Sequence, residues 1–244
     1  MIISVNKCNI IYNEYWGDIM LKEKDLEFMK GHLSFWDKLS TVEKNLVKNN
    51  TTKITYNKGE ILHNADSECL GFVLIKKGGL RVYILSEDGR EVTLYRLSEG
   101  DSCVLSASCI LNNITFDVVI DAETDTEVLL LNISTFSKLN NDNIYVENFA
   151  YKNTTDRFSD VMWAVEQILF MSFDKRLATF LIDEVAKNKT TDIYLTHEQI
   201  AKYLGSAREV VSRMLKNFES QGIIKLSRGL IKIIDKEKLK ELLI

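Results

Sequence analysis

The sequence predicts an α+β fold made of a domain of short strands, a long helix, and a small domain of two short helices and a β-hairpin. Two observations predict it. Apolar residues alternate with a period of two between residues 53 and 133, and with a helical period before and after. Six of the 11 glycines lie between Gly59 and Gly100, at the ends of short alternating runs. We place the predicted parts at residues 1–50, 51–140, 141–172 and 173–244.

The first 50 residues predict a helical lead-in. Apolar residues recur at every third or fourth position from Leu26 to Val47. Ser40 is followed three residues later by Glu43, which is the pattern of a helix N-cap. The role of the first 25 residues stays open.

The region from Lys53 to Ile133 predicts short strands. Lys77-Gly78-Gly79 and Asp88-Gly89-Arg90 lie between alternating runs and predict hairpin turns. Many short strands of this kind are typical of a barrel-like or sandwich domain. The predicted strands are Lys53–Tyr56, Glu60–His63, Gly71–Ile75, Leu80–Leu85, Val92–Leu97, Phe116–Ala122 and Glu127–Ile133.

A long helix is predicted to begin at either Asn143 or Thr154 and to end at Met171. Its apolar residues repeat at intervals of three and four, which suits a two-stranded coiled coil. The alternative is that this seam packs on the chain's own β-domain. Ser172-Phe173-Asp174 interrupts the pattern and predicts a hinge. The seam consists of Phe158, Val161, Met162, Val165, Ile168 and Leu169.

Two capped helices follow near the C-terminus. Thr196–Gln199 and Ser206–Glu209 each have the form of a capping box, and Gly205 separates the two helices. Such a pair predicts a helix-turn-helix. Ser227-Arg228-Gly229 then joins two apolar runs into a hairpin, which makes the motif a winged one.

The charge of this region predicts binding to DNA. Between Thr196 and Lys232, seven basic residues face three acidic ones, whereas the whole chain has a formal net charge of −4. A local basic surface on an acidic protein is the expected footprint for contact with phosphates. A solvated helical hairpin is the alternative that the charge argues against. The outward face of the second helix consists of Arg208, Glu209, Ser212 and Arg213.

The stretch LTHEQIAKYLGSAREVVSRMLKNFESQGII resembles the DNA-binding signature of the Crp/Fnr transcription regulators. The resemblance covers nearly the whole chain and includes Lys58–Ile61 and Ser86–Arg90 of the β-domain. It departs from the usual form at Ala207, where serine is usual, and at Val210, where threonine is usual.

The resemblance implies the fold and function of each part. The β-domain would be a double-stranded β-roll like that of cyclic-nucleotide-binding domains, and the long helix would be a dimerisation helix. The homodimer would read a palindromic operator in double-stranded DNA, with RNA polymerase allowed as a further partner. A signal in the β-roll would repack the two long helices, and Ser172–Asp174 would transmit it.

The chemistry of the side chains assigns roles at the DNA. Arg208 and Arg213 suit guanine, and Glu209 suits the amino group of cytosine. The resemblance to the family implies a further base or thymine contact for Ser212. The expected phosphate contacts come from Thr196, His197, Ser206 and Arg228.

The segment from Gly100 to Val118 argues against a cyclic nucleotide as the effector. Proteins of this fold that bind one have a glutamate for the ribose and an arginine for the phosphate, and here Leu105 and Phe116 fall at those positions, beside Asp117. Loss of such a charged pair costs about 2–5 kcal/mol. The candidate effector pocket consists of Cys103, Leu105, Ser106, Ala107, Ser108, Cys109, Phe116 and Asp117, with Ser159 and Trp163 of the long helix.

The cysteines leave the effector unidentified. Cys103 and Cys109 are candidates for thiol sensors or axial haem ligands, and the alternative is that both pack as small apolar side chains. An N-terminal iron–sulfur cluster is argued against, because that region offers only Cys8. The competing function is a haem, redox or small-molecule sensor whose main output is not DNA binding.

The remaining classes of function are argued against by what the chain lacks. No apolar run is long enough to cross a bilayer, and the first residues do not have the form of a secretory signal, so we expect a cytoplasmic protein without membrane partners. We find no nucleophile–base–acid set, phosphate-binding glycine loop or metal-ligand spacing. An enzyme is therefore not expected.

Overall fold

A computed structural model describes residues 21–64, 70–103 and 118–243 of the chain. The chain forms two compact units. Unit 1 comprises Met1–Leu80, Leu97–Phe116 and Asp121–Thr155, and unit 2 comprises Arg81–Arg96, Asp117–Ile120 and Asp156–Ile244.

The lead-in is helical, as predicted. Helix α1 spans Glu23–His32, a single 3₁₀ turn spans Trp36–Lys38, and α2 spans Thr41–Asn49. The predicted N-cap of α2 is confirmed, because the hydroxyl of Ser40 accepts a hydrogen bond from the amide of Glu43 at 3.3 Å. The carboxylate of Glu43 accepts one in return from the amide of Ser40 at 2.7 Å.

The described part of the β-domain contains all seven predicted strands and, in addition, a short strand that was not predicted, β6. The strands form two four-stranded sheets, in the orders β1-β8-β3-β6 and β2-β7-β4-β5. Their bounds are β1 Thr51–Tyr56, β2 Ile61–His63, β3 Gly71–Lys77, β4 Gly79–Leu85, β5 Glu91–Ser98, β6 Ser102–Cys103, β7 Val119–Ala122 and β8 Thr126–Asn132.

Of the two predicted hairpin turns, one is confirmed and one is wrong. Asp88-Gly89-Arg90 joins the neighbouring strands β4 and β5. Lys77-Gly78-Gly79 instead joins β3 to β4, which lie in different sheets. Gly78 is required there by crowding, since its φ is +88° and a Cβ would lie 2.5 Å from the carbonyl oxygen of Asp125. A hairpin and a corner between sheets both select glycine, so the sequence pattern did not separate them.

The core of unit 1 lies where the first sheet meets the helices. Strand β8 pairs with both β1 and β3, so that Leu131 is opposite Thr51 on one side and Phe72 on the other. Phe72 stacks on Phe136 of α3, which spans Ile133–Asp142, with ring centroids 4.9 Å apart. Helix α3 was not predicted.

The long helix α4 spans Ile144–Phe170, which agrees with the earlier of its two predicted starts. The predicted break is also confirmed, because α5 begins at Phe173 with Ser172 as its N-cap. A hydrogen bond with the side chain of Ser172 holds the pKa of Asp174 below its usual value. No helix in the described part of the chain combines the length and the apolar character needed to cross a bilayer.

Most of the seam of α4 is exposed in the described part of the chain. Val161 is half-buried, but Phe158 and Leu169 are 63% and 67% exposed. Among the described residues, the alternative that the seam packs on the chain's own β-domain is therefore wrong for most of its members. The remaining exposed members are Met162, Val165 and Ile168.

The C-terminal part of unit 2 is a winged helix-turn-helix, as predicted. Helices α5, α6 and α7 enclose a core with the sheet β10-β11-β9. Asp235 caps the last helix, because its carboxylate accepts a hydrogen bond from the amide of Lys238 at 3.0 Å. The elements are α5 Phe173–Asn188, β9 Asp192–Ile193, α6 His197–Leu204, α7 Arg208–Ser220, β10 Ile224–Ser227, β11 Leu230–Ile233 and α8 Lys236–Glu241.

Candidate nucleic-acid interface

The turn between α6 and α7 is built from a capped start and a glycine end. The hydroxyl of Thr196 accepts from the amide of Gln199 at 3.2 Å, and the side chain of Gln199 accepts from the amide of Thr196 at 2.8 Å. At the other end, Gly205 has a φ of +58°, and the amides of Gly205 and Ser206 both donate to the carbonyl of Ala201. This left-handed ending reverses the chain at once, so that α7 begins four residues after α6 ends.

The second predicted capping box is wrong. Helix α7 begins at Arg208, which places Ala207 rather than Ser206 at the N-cap, and no side chain in the described residues caps this end. Ser206 belongs to the ending of α6 through its backbone amide. The first amides of α7 therefore remain available to an anion, and the helix dipole favours negative charge there.

Helix α7 has one buried face and one exposed charged face. Val211, Leu215 and Phe218 are fully buried in the core of unit 2. The opposite face forms a shallow groove that contains all four predicted base-reading residues and also Lys216. Lys216 is not among the predicted base-reading residues, although it follows Ser212 by four positions and so shares its face. The groove is lined by Arg208, Glu209, Ser212, Arg213 and Lys216.

His197 lies at the start of α6, where the positive charges of basic residues of α7 act on its imidazole. Burial lowers the pKa of its imidazole below the usual 6.5, and the positive charges of Arg208 and Lys216 lower that pKa further. The imidazole is therefore neutral at pH 7. Thr196, beside it, is exposed.

The wing carries the remaining predicted phosphate contact. Arg228 is exposed in the two-residue turn between β10 and β11, where Gly229 has a φ of +73°. The carboxylate of Glu219 in α7 accepts from the amide of Leu226 in β10 at 2.8 Å. This hydrogen bond ties the wing to the helix with the charged face.

The candidate effector pocket is described only in part. Cys103 is buried in β6, where it pairs with Val73 of β3. Ser159 and Trp163 are exposed on α4, in a groove that they share with residues of the apolar seam. The other pocket residues, Leu105, Ser106, Ala107, Ser108, Cys109, Phe116 and Asp117, lie outside the described residues.

Two family models match consecutive parts of the chain. The model of the cyclic nucleotide-binding domain matches residues 53–143. The model of the Crp-like helix-turn-helix domain matches residues 175–242. The fold and the charged face of α7 thus define a transcription regulator with a β-roll and a helix-turn-helix DNA-binding domain.

Solved structures and curated proteins give the same result. A transcriptional regulator of the Crp/Fnr family from Eubacterium rectale is 44% identical, superposes with a TM-score of 0.84, and is matched over 87% of this chain and 99% of its own. The cAMP-activated global transcriptional regulators Vfr of Pseudomonas aeruginosa and CRP of Pasteurella multocida are each 24% identical; each match covers 68% of this chain, and 81% and 82% of theirs. The chain belongs to the Crp/Fnr family.

Proposed function

We propose that the protein is a homodimeric, sequence-specific transcription regulator that reads a palindromic operator with α7. The observation that carries the proposal is the charged face of α7. Arg208 and Arg213 each present a guanidinium that suits O6 and N7 of guanine, and Glu209 suits the amino group of cytosine. Ser212 lies between them as a further base contact.

Phosphate contacts would fix the register of α7 in the major groove. The uncapped start of α7 at Ala207 and Arg208 offers amides, with Ser206 just before it, and Thr196 and His197 stand at the start of α6. Arg228 at the tip of the wing adds a charge beyond the helices. Such contacts position a protein on DNA without reading its sequence.

The exposed seam of α4 supports a dimer of two identical chains. A row of apolar side chains with coiled-coil spacing is costly to leave in water, and a second copy of the same helix would cover it. Two chains related by a two-fold axis would also present two copies of α7 to two half-sites.

An effector in the β-roll would control the dimer through the break at Ser172–Asp174. We propose that this effector is not cAMP, although the curated relatives are described as cAMP-activated, because Leu105 and Phe116 replace the charged partners that a cyclic nucleotide needs. A cytoplasmic location follows from the DNA partner. RNA polymerase is proposed as a further partner on family membership alone.

Selection of binding sites from random duplexes tests the proposal. The purified full-length chain is expected to enrich an inverted repeat whose half-site centres lie about 10 bp apart. The double variant Arg208→Ala/Arg213→Ala is the control and should enrich no sequence. Enrichment of a single unrepeated site, or equal recovery of all duplexes at physiological salt, would contradict it.

A further inference from the structure

Unit 2 contains a partly open cavity of about 320 Å³ that lies between β5, α4, α5 and α6. Of the described residues in the predicted effector pocket, Trp163 lines this cavity, whereas Cys103 and Ser159 do not. Pockets that hold organic ligands begin at about 300 Å³. The cavity is therefore large enough for a small organic molecule.

The body of the cavity is apolar and aromatic. Leu94 of β5, Trp163 of α4 and Phe180 of α5 line it. The ring of Phe180 stacks on that of Tyr203 from α6, with centroids 5.4 Å apart and an interplanar angle of 28°. Such walls suit a flat apolar group.

Arg176 and Gln167 each present to this cavity a buried nitrogen donor that has no acceptor among the described residues. The guanidinium of Arg176 donates through Nη1 to the carbonyl of Leu204 at 3.1 Å, but its Nε is buried and unpartnered. The side chain of Gln167 is 9% exposed, and its Nε2 is also unpartnered. A buried donor without an acceptor costs about 1–3 kcal/mol. Two of them in one cavity indicate that an acceptor belongs there.

The described carboxylates around the cavity do not pair with Arg176, so its guanidinium can bind an anion. Arg96 pairs with Glu184, and Asp160 pairs with Arg157 at 2.9 Å. Asp183 lies at the exposed rim. Arg176 has no ion pair within the described part of the chain, and its burial lowers its pKa, as expected for a cation held away from water and from carboxylates.

We propose that this cavity binds a small organic carboxylate with a flat apolar body, whose oxygens accept from Arg176 and Gln167. The ligand acts as an effector of DNA binding, because it touches α4 and α5 on both sides of Ser172–Asp174 and meets α6 next to the Gly205 turn. A ligand shifts the helix-turn-helix only so far as it binds one arrangement more tightly than the other. The effector role rests on the proposed function.

The test uses 2-naphthoate as the probe and neutral 2-naphthamide as its isostere, with the full-length chain in a calorimeter. One naphthoate per chain is expected to bind saturably, and at least tenfold more tightly than the amide. Gln167→Leu should weaken naphthoate at least fivefold without lowering the melting temperature, since the removed donor has no partner to lose. Ala164→Phe, which fills the cavity, should abolish binding.

Controls separate this inference from the proposed function. Arg213→Ala should bind naphthoate like the unaltered chain, and saturating naphthoate should change the operator affinity of the unaltered chain at least threefold. If the chain binds naphthoate but recognises no operator, only the proposed function is contradicted. Three results would overturn the assignment of this cavity as the binding site. They are no saturable binding of naphthoate, equal binding of the amide, and undiminished binding of naphthoate by Gln167→Leu and Ala164→Phe. Binding that leaves operator affinity unchanged would overturn its effector role.

Discussion

His197 couples DNA binding to pH at the scale of a single residue. In the unbound protein its pKa lies below 6.5, because of burial and then of Arg208 and Lys216, so the imidazole is neutral at pH 7. A phosphate beside it favours the protonated form, and binding then takes up a proton. Operator affinity should rise as the pH falls towards 6.5 and level off below the lowered pKa, with a slope of at most about one proton per subunit.

A titration of operator affinity between pH 8 and 5.5 measures this effect, with His197→Gln as the control that should remove it. The same shift has the opposite consequence for stability. Because the unfolded chain binds the proton more readily, protonation of His197 does not affect the free energy of unfolding above the unfolded pKa. It lowers that free energy as the pH falls from 6.5 through the lowered pKa. Pronounced pH dependence in His197→Gln would show that another group takes up the proton.

Gly205 is constrained by its backbone and by a contact. Its φ is +58°, and a Cβ there would lie 2.9 Å from Cγ2 of Val92. Gly205→Ala should therefore destabilise the protein by about 1–2 kcal/mol for the left-handed backbone alone, and by more because of the contact. Gly229→Ala is the matched control, since its φ is +73° but no described atom lies within 4 Å of its Cβ position.

Urea unfolding of both variants measures the difference. Gly205→Ala should cost more than Gly229→Ala, and adding Val92→Ala should remove most of the excess. Equal losses of unfolding free energy in the two variants would contradict the contact between position 205 and Val92.

These residues also show what the sequence does and does not reveal. The charged face of α7 was predictable because its members share a helical period, and that period needs no knowledge of the fold. The cap of α7 was assigned to Ser206 instead of Ala207, because the ending of α6 uses the amide of Ser206 and shifts the start of α7 by one residue. The contact between Gly205 and Val92 joins residues far apart in the chain, so no local pattern encodes it.

At the scale of the element, α4 presents an apolar surface that a partner should cover. Leu169 is 67% exposed, and burying a leucine side chain stabilises by about 1.5–3 kcal/mol in each subunit. Leu169→Glu should therefore weaken the dimer at least about 100-fold, because two copies are lost at one interface.

Sedimentation equilibrium measures this weakening. Val42→Glu is the matched control, since Val42 is a 77% exposed apolar residue on α2 and the same charge is introduced there. Its dimer affinity should be unchanged. Equal self-association of Leu169→Glu and the unaltered chain would show that α4 is not the interface.

Elements were predictable where one local signal decides them. The strands, the break before α5 and the wing all follow from period and turn residues. Helix α3 was missed because it starts directly after β8, with Asn132 as its N-cap, and its first residue, Ile133, had been assigned to the strand. Strand β6 was missed because it is two residues long and lies in the segment interpreted as a pocket.

At the scale of the whole molecule, the β-roll should not respond to cAMP. Leu105 and Phe116 supply neither a ribose acceptor nor a phosphate donor, and Asp117 adds a repulsive charge. Saturating cAMP should leave the affinity for the selected operator unchanged within threefold. The measurement is a fluorescence titration of the operator with and without the nucleotide, and a rise above that limit would contradict the assignment.

The central claim is that two identical chains lay α7 against the edges of bases. Its most direct test is the affinity of Arg213→Ala for the selected operator, its single-base variants and a scrambled duplex at physiological salt. Lys238→Ala, on α8, is the control of equal charge.

Arg213→Ala is predicted to lose about 1–3 kcal/mol on the operator and to stop discriminating at one base pair of each half-site, while Lys238→Ala keeps both. Equal losses by Arg213→Ala on the operator and on scrambled DNA would show that Arg213 reads no base.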